Sequence, residues 1–317
     1  MSLPAFEVYI PDSLQEAVSF YSKNVGNTKI IAGGTDLLPS LKQKLFEPDY
    51  LLDIKSLQEL HGIHETSDGG LRIGALTTIT ELVQSSVLQR HFTVLQQAAA
   101  TVAGPNLRNV GTLGGNICLD TRCYWYNQSY FWRQSCGFCI KKDGTLCHVA
   151  PGSKTCWAVY SGDTAAALLT LDARLRLVSA KGERLVLIGE FFVNDGQIRN
   201  RMEPDEILCD VLIPPRYRDY TGAYEKYRIR GSVDYPLAGV AVVMKEEDLR
   251  IALTAVNPLP VLVKDPVLDG DELLKLAMRT AKPLKTSAST MEYRRHMIGV
   301  MLKRNLAKLI ETTDEHR

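Results

Sequence analysis

The sequence predicts an α+β fold in two domains. Its 317 residues are more than one small domain needs and suit two. As far as about residue 213, short stretches that predict strands are interleaved with stretches of helical periodicity. Beyond residue 222, three strand-like stretches follow one another, and amphipathic helical segments come after them. Together these patterns indicate a mixed first domain and a second domain built from a sheet and helices.

Composition and charge exclude several classes of protein. Apolar residues make up 45% and charged residues 23% of the chain, which is ordinary for a globular protein and argues against disorder. The 37 basic and 36 acidic residues leave a net charge of +1, so there is no electrostatic case for a nucleic-acid partner. No apolar run reaches the roughly 18 residues that a membrane span needs. The start, MSLPAFEVYIPDS, lacks the pattern of a secretory leader, so we expect a cytoplasmic protein without membrane contact.

The first part of the chain predicts alternating strands and helices. FEVYI alternates as a strand does, and LQEAVSFYSK predicts a helix because Leu14, Ala17 and Val18 recur at helical spacing. A strand, TKII, leads through a Gly-Gly turn into a helix whose first turn should hold Thr35 and Asp36. The chain continues with two strands (YLLDI, LRIGAL) and two helices (TITELVQS, HFTVLQQAAATVA). A Gly/Asn-rich stretch follows, GPNLRNVGTLGGNIC, which we expect to surround a strand.

Residues 119–157 show neither the alternation of a strand nor the periodicity of a helix, and they resemble an insertion. After them, AALLTLDARLRLVS predicts a helix and a strand, and ERLVLIGEFF and EILCDVLIPP predict further strands. The prolines, charges and glycine of PPRYRDYTG mark a domain boundary, which we set between residues 217 and 218. GAYEKYRI, LAGVAVVMKEE and DLRIALTAVN predict three strands, the middle one partly helical. The tail from 272 to 310 predicts mostly helix with solvated basic faces.

Two glycine-rich segments are candidates for binding phosphate. AGGTD (32–36) lies between a strand and a helix, where backbone N–H groups can face an anion. It has neither the G-x-G-x-x-G spacing of a Rossmann site nor the G-K-[ST] of a Walker loop. GTLGGN (111–116) is a second such segment. Either one alone is more often a simple turn, but two in one domain indicate a ligand with two phosphates.

Six of the seven cysteines lie between Cys118 and Cys156, and all three tryptophans lie in or beside this window. A loop of this length is hard to order by packing alone, whereas four thiolates on one metal centre would order it. The spacing leaves 15 possible quartets and does not decide between zinc and an iron–sulfur cluster. Without a secretory leader a disulfide framework is not expected. The alternative is that these cysteines are simply small buried apolar residues.

Four motifs in this order resemble the FAD-binding medium subunit of the xanthine dehydrogenase family of molybdenum hydroxylases. They are IAGGTDLLP, LRIGAL, TLGGNIC and SGDTAAAL, and the stretch from YEKYRIRGSVDYPLAGVAV onward resembles that family's C-terminal domain. The resemblance implies a two-subdomain FAD-binding domain of the p-cresol methylhydroxylase/xanthine dehydrogenase type over 1–217. Over 218–317 it implies a three-stranded antiparallel sheet with helices.

The resemblance also implies which residues contact FAD. The diphosphate would lie on the first glycine segment, and the second segment would hold a further part of the cofactor. Asp163 matches an acid that bonds the flavin's polyol region, Lys226 a lysine near the flavin, and Val102 and Leu208 apolar positions against it. The glycine-segment residues carried over are Ala32, Gly33, Gly34, Thr35, Asp36, Leu37, Thr112, Gly115 and Asn116.

The insertion is absent from most members of that family. Its pattern, D-T-R-C-x2-Y-N-Q-S followed by C, C-H-V and a last C before Y-x-G-D, is similar to the β subunit of 4-hydroxybenzoyl-CoA reductases, whose extra loop binds a [4Fe–4S] cluster. The resemblance selects four cluster ligands: Cys123, Cys139, Cys147 and Cys156. It leaves Cys118, Cys136 and Cys209 as ordinary residues. A periplasmic aldehyde oxidoreductase subunit also carries an insertion cluster, but its loop differs.

The resemblance implies an electron-transfer subunit without catalytic residues for the organic substrate. Its partners would be a large molybdenum subunit and a small subunit with two [2Fe–2S] clusters, in a dimer of heterotrimers. Reduced ferredoxin would supply electrons through the [4Fe–4S] cluster and FAD for reductive removal of a phenolic hydroxyl from an aromatic acyl-CoA. Two alternatives are open: a medium subunit of an oxidative molybdenum hydroxylase acting on an aldehyde or N-heterocycle, and a zinc-stabilised binding module.

Overall fold

The computed structural model describes residues 2–263, 270–284 and 289–315. The chain begins with a three-stranded parallel sheet of order β1-β3-β2. Its elements are β1 (Glu7–Tyr9), α1 (Leu14–Lys23), β2 (Thr28–Ile31), α2 (Leu37–Lys42) and β3 (Tyr50–Asp53). The Ser13 side chain caps α1 by accepting a hydrogen bond from the Glu16 N–H. Leu14, Ala17 and Val18 are buried on one face of α1, which confirms the predicted helix and its inner face.

The second subdomain is a five-stranded antiparallel sheet of order β4-β5-β8-β6-β7, covered by helices. Its elements and those of the insertion are β4 (Ile63–Glu65), β5 (Leu71–Gly74), α3 (Ile79–Gln84), α4 (Ser86–His91), α5 (Thr93–Thr101), α6 (Pro105–Arg108), α7 (Leu113–Ile117), α8 (Tyr130–Ser135, in the insertion), α9 (Asp163–Thr170), β6 (Arg174–Ser179), β7 (Gly182–Leu187), α10 (Ile188–Phe191) and β8 (Ile207–Ile213). Every residue of α9 is buried, since this helix packs on α5, α7 and α10 and on strands of the C-terminal unit. Its small alanines allow that close packing.

The C-terminal unit is an antiparallel sheet of order β12-β11-β10-β9 with two helices. Its elements are β9 (Thr221–Tyr227), β10 (Ala238–Lys245), β11 (Asp248–Thr254), β12 (Val261–Val263), α11 (Gly270–Thr280) and α12 (Met291–Glu315). One face of the sheet packs on α5 and α9 and the other on α12. The sheet therefore packs directly against the helices of the preceding subdomain.

Several local predictions differ from the structure. ERLVLIGEFF is a strand only in its first half, because Ile188–Phe191 form the short helix α10. The stretch from residue 104 to 118 forms the short helices α6 and α7, not a strand, because the Thr112 side chain caps α7 and Leu113 and Ile117 are buried. α2 begins at Leu37, so Thr35 and Asp36 precede it. The C-terminal sheet has a fourth short strand, β12, and its middle strand β10 contains no helix. β10 lacks alternation because helices cover both of its faces.

The insertion is irregular, as predicted, apart from the single short helix α8. Its two ends are joined by a backbone pair, in which Arg122 and Val159 exchange N–H···O bonds of 2.7 and 2.9 Å. The boundary between residues 217 and 218 stays a prediction, and the predicted second domain includes 264–269, 285–288 and 316–317, which lie outside the described residues. Within the described part of the chain, no helix combines the length and apolar character needed to cross a bilayer.

Candidate functional site

A cavity of about 1100 Å³ lies where the two subdomains, the insertion and the C-terminal sheet meet. Every residue that the sequence predicted for FAD lines this cavity, although the predicted set spans nearly 200 positions. They are Ala32, Gly33, Gly34, Thr35, Asp36, Leu37, Val102, Thr112, Gly115, Asn116, Asp163, Leu208 and Lys226. The structure brings these residues together, and their individual contacts with a cofactor stay predictions.

The two glycine segments form one continuous backbone surface. Gly33 lies so close to the second segment that an added Cβ would stand 1.9 Å from the carbonyl oxygen of Val110. The second segment then turns into α7, where the Thr112 hydroxyl accepts a hydrogen bond of 3.1 Å from the Gly115 N–H. Gly114 packs on Ala75 at a distance that leaves no room for a side chain. Glycine is required at these points for close backbone approach, which suits a site where a diphosphate meets N–H groups.

Replacing Gly33 by alanine tests this surface. Because the added methyl group meets backbone rather than a movable side chain, the Gly33→Ala loop must shift, at a cost of about 1–3 kcal/mol. We expect FAD binding to weaken about tenfold to a hundredfold in fluorescence titrations of the apoprotein. Gly152→Ala is the matched control, since nothing lies within 4 Å of its added Cβ. Equal FAD affinity in both variants would contradict the assignment.

Asp163, the first residue of α9, forms a buried ion pair with Lys226 of β9. Their Nζ–Oδ2 distance is 2.9 Å, and the side chains of Lys226 and Asp163 are only 2% and 4% exposed. The Tyr224 hydroxyl donates to the other carboxylate oxygen at 2.7 Å, and the Lys226 ammonium also donates to the Thr101 carbonyl. Burial lowers the pKa of Lys226, an effect that Asp163 opposes. The C-terminal sheet thus places a paired cation at the wall of the cavity.

Asn116 is a second buried polar residue of this wall. Its Oδ1 accepts hydrogen bonds from the Thr164 backbone N–H at 3.2 Å and from the Thr164 hydroxyl at 2.7 Å. Its backbone carbonyl accepts from the Tyr160 hydroxyl at 2.9 Å. These bonds tie α7 to the start of α9, so the second glycine segment and Asp163 are held in one geometry.

The apolar part of the cavity includes Val102, which ends α5, and Leu208 on β8. Beside Val102 the backbone of Ala103 has a φ of +43°, and its carbonyl accepts a hydrogen bond from the N–H of Val233, whose φ is +50°. Left-handed conformations cost energy for residues with a Cβ, most of all for a β-branched one. The fold therefore maintains a strained contact between α5 and the loop after β9, next to the predicted flavin position.

Two cavity residues were missed by the sequence reasoning. Arg122 forms an ion pair with Asp36 at 2.8 Å, and its guanidinium carbon lies 3.9 Å from the ring centre of Tyr235. The Tyr235 hydroxyl donates to the same Asp36 oxygen at 2.9 Å. Arg122 immediately precedes a predicted cluster ligand, so this contact joins the insertion, the first glycine segment and the C-terminal unit. No local signal marks Tyr235, because its partner lies 199 residues earlier.

The four predicted ligand cysteines line a second, smaller cavity inside the insertion. The thiols of Cys123, Cys139, Cys147 and Cys156 share it with the side chains of Trp125, Tyr126, Ile140, Lys141, His148 and Val149. All seven cysteines of the chain are free thiols, and the other three do not line this cavity. Burial raises the pKa of Cys123 to about 11 and that of Cys156 to about 12. The four cysteines that the resemblance selected therefore line one cavity, and their role as ligands stays a prediction.

The four thiols are a set of ligands that both zinc and iron–sulfur clusters take. Among the described residues, no three His, Cys, Asp or Glu side chains are arranged to hold a metal ion. This part of the chain therefore shows neither a zinc site nor a cluster site, and the [4Fe–4S] cluster stays a prediction.

The two cavities share a wall formed by Tyr126 and Lys141, the two residues that line both. The Lys141 ammonium lies 4.5 Å from the Tyr126 ring centre and donates to Asp120 at 2.7 Å. Burial lowers the pKa of Lys141, and Asp120 opposes that effect. The predicted cluster position and the predicted flavin position therefore adjoin each other through two side chains.

The chain is similar to known FAD-binding subunits over most of its length. Residues 4–216 match the family model described as the FAD-binding domain in molybdopterin dehydrogenase. The xanthine dehydrogenase FAD-binding subunit of Escherichia coli O157:H7 is 28% identical over 314 residues, which are 94% of each chain. The aldehyde oxidoreductase FAD-binding subunit of Escherichia coli K12 is 33% identical over 249 residues, 75% of this chain and 78% of that one. The carbon monoxide dehydrogenase structure from Hydrogenophaga pseudoflava superposes with a TM-score of 0.79 at 26% identity, covering 98% of this chain and 99% of that chain.

The fold and the comparisons define a flavoprotein subunit of an oxidoreductase complex. The chain belongs to the family of FAD-binding domains of molybdopterin dehydrogenases, and it is the FAD-binding subunit of a molybdenum hydroxylase complex. The predicted family, fold and cofactor FAD are thereby confirmed. The named relatives act on different substrates, so the particular reaction is a separate question.

Proposed function

We propose that this chain carries a [4Fe–4S] cluster in addition to FAD and is the electron-transfer subunit of a complex of the 4-hydroxybenzoyl-CoA reductase type. One observation carries the proposal: four insertion thiols line one small cavity, two of whose residues also line the larger cavity predicted to hold FAD. Three of these thiols, those of Cys139, Cys147 and Cys156, are buried. Buried, aromatic-walled thiolates suit a redox cluster shielded from water.

Each group of residues has a distinct part in this proposal. The glycine segments present backbone N–H groups and short side chains to the cofactor's diphosphate, where a bulkier side chain would clash. Asp163, locked by Tyr224 and Lys226, offers its carboxylate beside the cofactor's polyol chain. Bound FAD supplies exchange of one or two electrons, the chemistry that links one-electron clusters to a two-electron reaction. The protein contributes binding, orientation and exclusion of water.

The partners follow from the same proposal. Reduced ferredoxin would donate electrons at the insertion, and a small subunit with two [2Fe–2S] clusters would pass them to a large molybdenum subunit, where a phenolic hydroxyl is removed from an aromatic acyl-CoA. The assembly would be a dimer of heterotrimers. We also propose a cytoplasmic location, which the seven free thiols support because thiols stay reduced there.

A second candidate is the medium subunit of an oxidative molybdenum hydroxylase. It is favoured by the names of the relatives, which include aldehyde oxidoreductase, nicotinate dehydrogenase and carbon monoxide dehydrogenase. The two candidates differ in the direction of electron flow and in the substrate of the large subunit. They make the same prediction for FAD in this chain.

The proposal is tested on the native complex, purified without oxygen. Per copy of this chain we expect one FAD, and iron and acid-labile sulfide in excess of the small subunit's two [2Fe–2S] clusters by the content of one four-iron cluster. We also expect reduction of 4-hydroxybenzoyl-CoA by reduced ferredoxin. Oxidation of an aldehyde or N-heterocycle, with no reductive dehydroxylation, would favour the second candidate instead. The isolated chain should turn over no organic substrate. A complex with bound FAD but no iron or sulfide beyond that of the two [2Fe–2S] clusters would refute the four-iron cluster.

A further inference from the structure

The wall between the two cavities contains a fixed cation. The Lys141 side chain is 4% exposed, and its ammonium donates to Asp120 at 2.7 Å, to the Gly196 carbonyl at 2.8 Å and to the Thr121 carbonyl at 3.0 Å, with a further bond to the Thr121 hydroxyl. These partners come from the start of the insertion and from the loop after α10. The charge therefore has a defined position beside both predicted cofactors.

The three charged side chains that pair with one another in this wall do not cancel, and the nearby Asp195 carboxylate is already bonded to the Cys156 N–H at 3.2 Å. Asp120 is also 3.5 Å from the Arg199 guanidinium, so two cations share one carboxylate. Burial alone would raise the pKa of Asp120, but Lys141 and Arg199 outweigh it and the pKa lies below its ordinary value. Tyr126 adds a neutral hydrogen bond of 2.8 Å to the same carboxylate. The wall cluster, defined as Asp120, Lys141 and Arg199, thus carries one net positive charge.

A net positive charge favours the reduction of a nearby group, because it attracts the added electron. Reduction of an iron–sulfur cluster adds one negative charge within its ring of thiolates, and net charge is one of the determinants of cluster potential. Attraction between charges is stronger in a buried, low-dielectric setting than at the surface. Lys141 and the thiols of Cys139 and Cys156 lie around one cavity. Bulk water therefore does not separate the cation from an electron added at these thiols.

We propose that the wall cluster of Asp120, Lys141 and Arg199 raises the reduction potential of the group held by the four insertion cysteines. This inference rests on the proposed function, because it requires a redox group at those cysteines. It makes Lys141 a residue that tunes electron entry by charge, without itself ligating iron. The sign of the effect follows from the net charge of the wall, not from the packing of its side chains.

The experiment is an anaerobic titration of the native complex with dithionite, in which the midpoint potential of the [4Fe–4S] signal is followed by electron paramagnetic resonance. Lys141→Met removes the buried positive charge, so we expect the one-electron reduction equilibrium to become less favourable by about tenfold, or about 59 mV. Asp120→Asn keeps one acceptor oxygen for Lys141 and places an amide NH2 group beside the Tyr126 oxygen, which can accept from it. The variant removes the negative charge, so the potential should rise. Lys142→Met is the matched control. It makes the same charge change one residue away, on a side chain that is 40% exposed and screened by water.

Opposite shifts in Lys141→Met and Asp120→Asn would support the proposal, because a purely structural role would not reverse sign between them. If Lys141→Met fails to retain iron, the proposal is tested by Asp120→Asn alone: a higher midpoint potential supports it, and an unchanged or lower one overturns it. Unchanged potentials in a complex that contains the cluster, or equal shifts in Lys141→Met and Lys142→Met, would overturn the inference and leave the proposed function standing. A native complex without a [4Fe–4S] signal would overturn both.

Discussion

The Cys147→Ser variant is expected to lose its iron–sulfur cluster almost completely and to keep FAD at the level of the unmodified protein. Iron–sulfur clusters are held by thiolates, and the serine oxygen is a poor substitute for that soft ligand. Cys147 lines the insertion cavity but not the larger FAD cavity. Iron, acid-labile sulfide and flavin analysis of the anaerobically purified complex measures all three quantities in one sample.

The Cys136→Ser variant is the matched control for this prediction. Cys136 lies in the same insertion, at the end of α8, but it does not line the cavity of the four thiols. We expect its iron and sulfide content to equal that of the unmodified protein. If Cys147→Ser kept a full iron content, or if Cys136→Ser lost it, the ligand assignment would be wrong.

The Lys226→Met variant is expected to destabilise the protein and to weaken FAD binding. Methionine fills a similar volume but leaves the Asp163 carboxylate buried with the Tyr224 hydroxyl as a remaining donor. Breaking a buried ion pair by removing one partner costs about 3–5 kcal/mol, because an uncompensated charge stays in the interior. Thermal unfolding followed by circular dichroism, together with flavin content, checks this expectation.

Two further variants separate the charge effect from packing. Lys245→Met is the same substitution in the same sheet, at an exposed pair with Asp219 whose nitrogen and oxygen are 3.5 Å apart, and it should cost at most about 1 kcal/mol. Adding Asp163→Asn to Lys226→Met removes the orphaned charge, so part of the lost stability should return. Stability would not recover in the double variant if Lys226 acted only through its aliphatic chain.

Much of the site was predictable because its signals are local. Close backbone approach requires glycine. The residue order alone therefore marks the segments AGGTD (32–36) and GTLGGN (111–116) as candidate phosphate-binding segments. The helical period of α1 and the unusual density of cysteines between residues 118 and 156 are likewise properties of neighbouring residues. The strand expected near residue 111 was wrong because a capping hydroxyl and buried apolar side chains outweigh the low helix propensity of glycine.

The sequence by itself determined the α+β class, the order of the elements and the presence of a cysteine-rich insertion. Spacing alone left 15 quartets open, and the family resemblance singled out one of them. Only the tertiary structure decided that these four thiols share one cavity, that Tyr126 and Lys141 line both it and the larger cavity predicted to hold FAD, and that Tyr235 reaches Asp36. The physical reason is the range of the interactions. Periodicity and backbone freedom act between neighbours, whereas a cavity wall is the sum of contacts between segments that are distant along the chain.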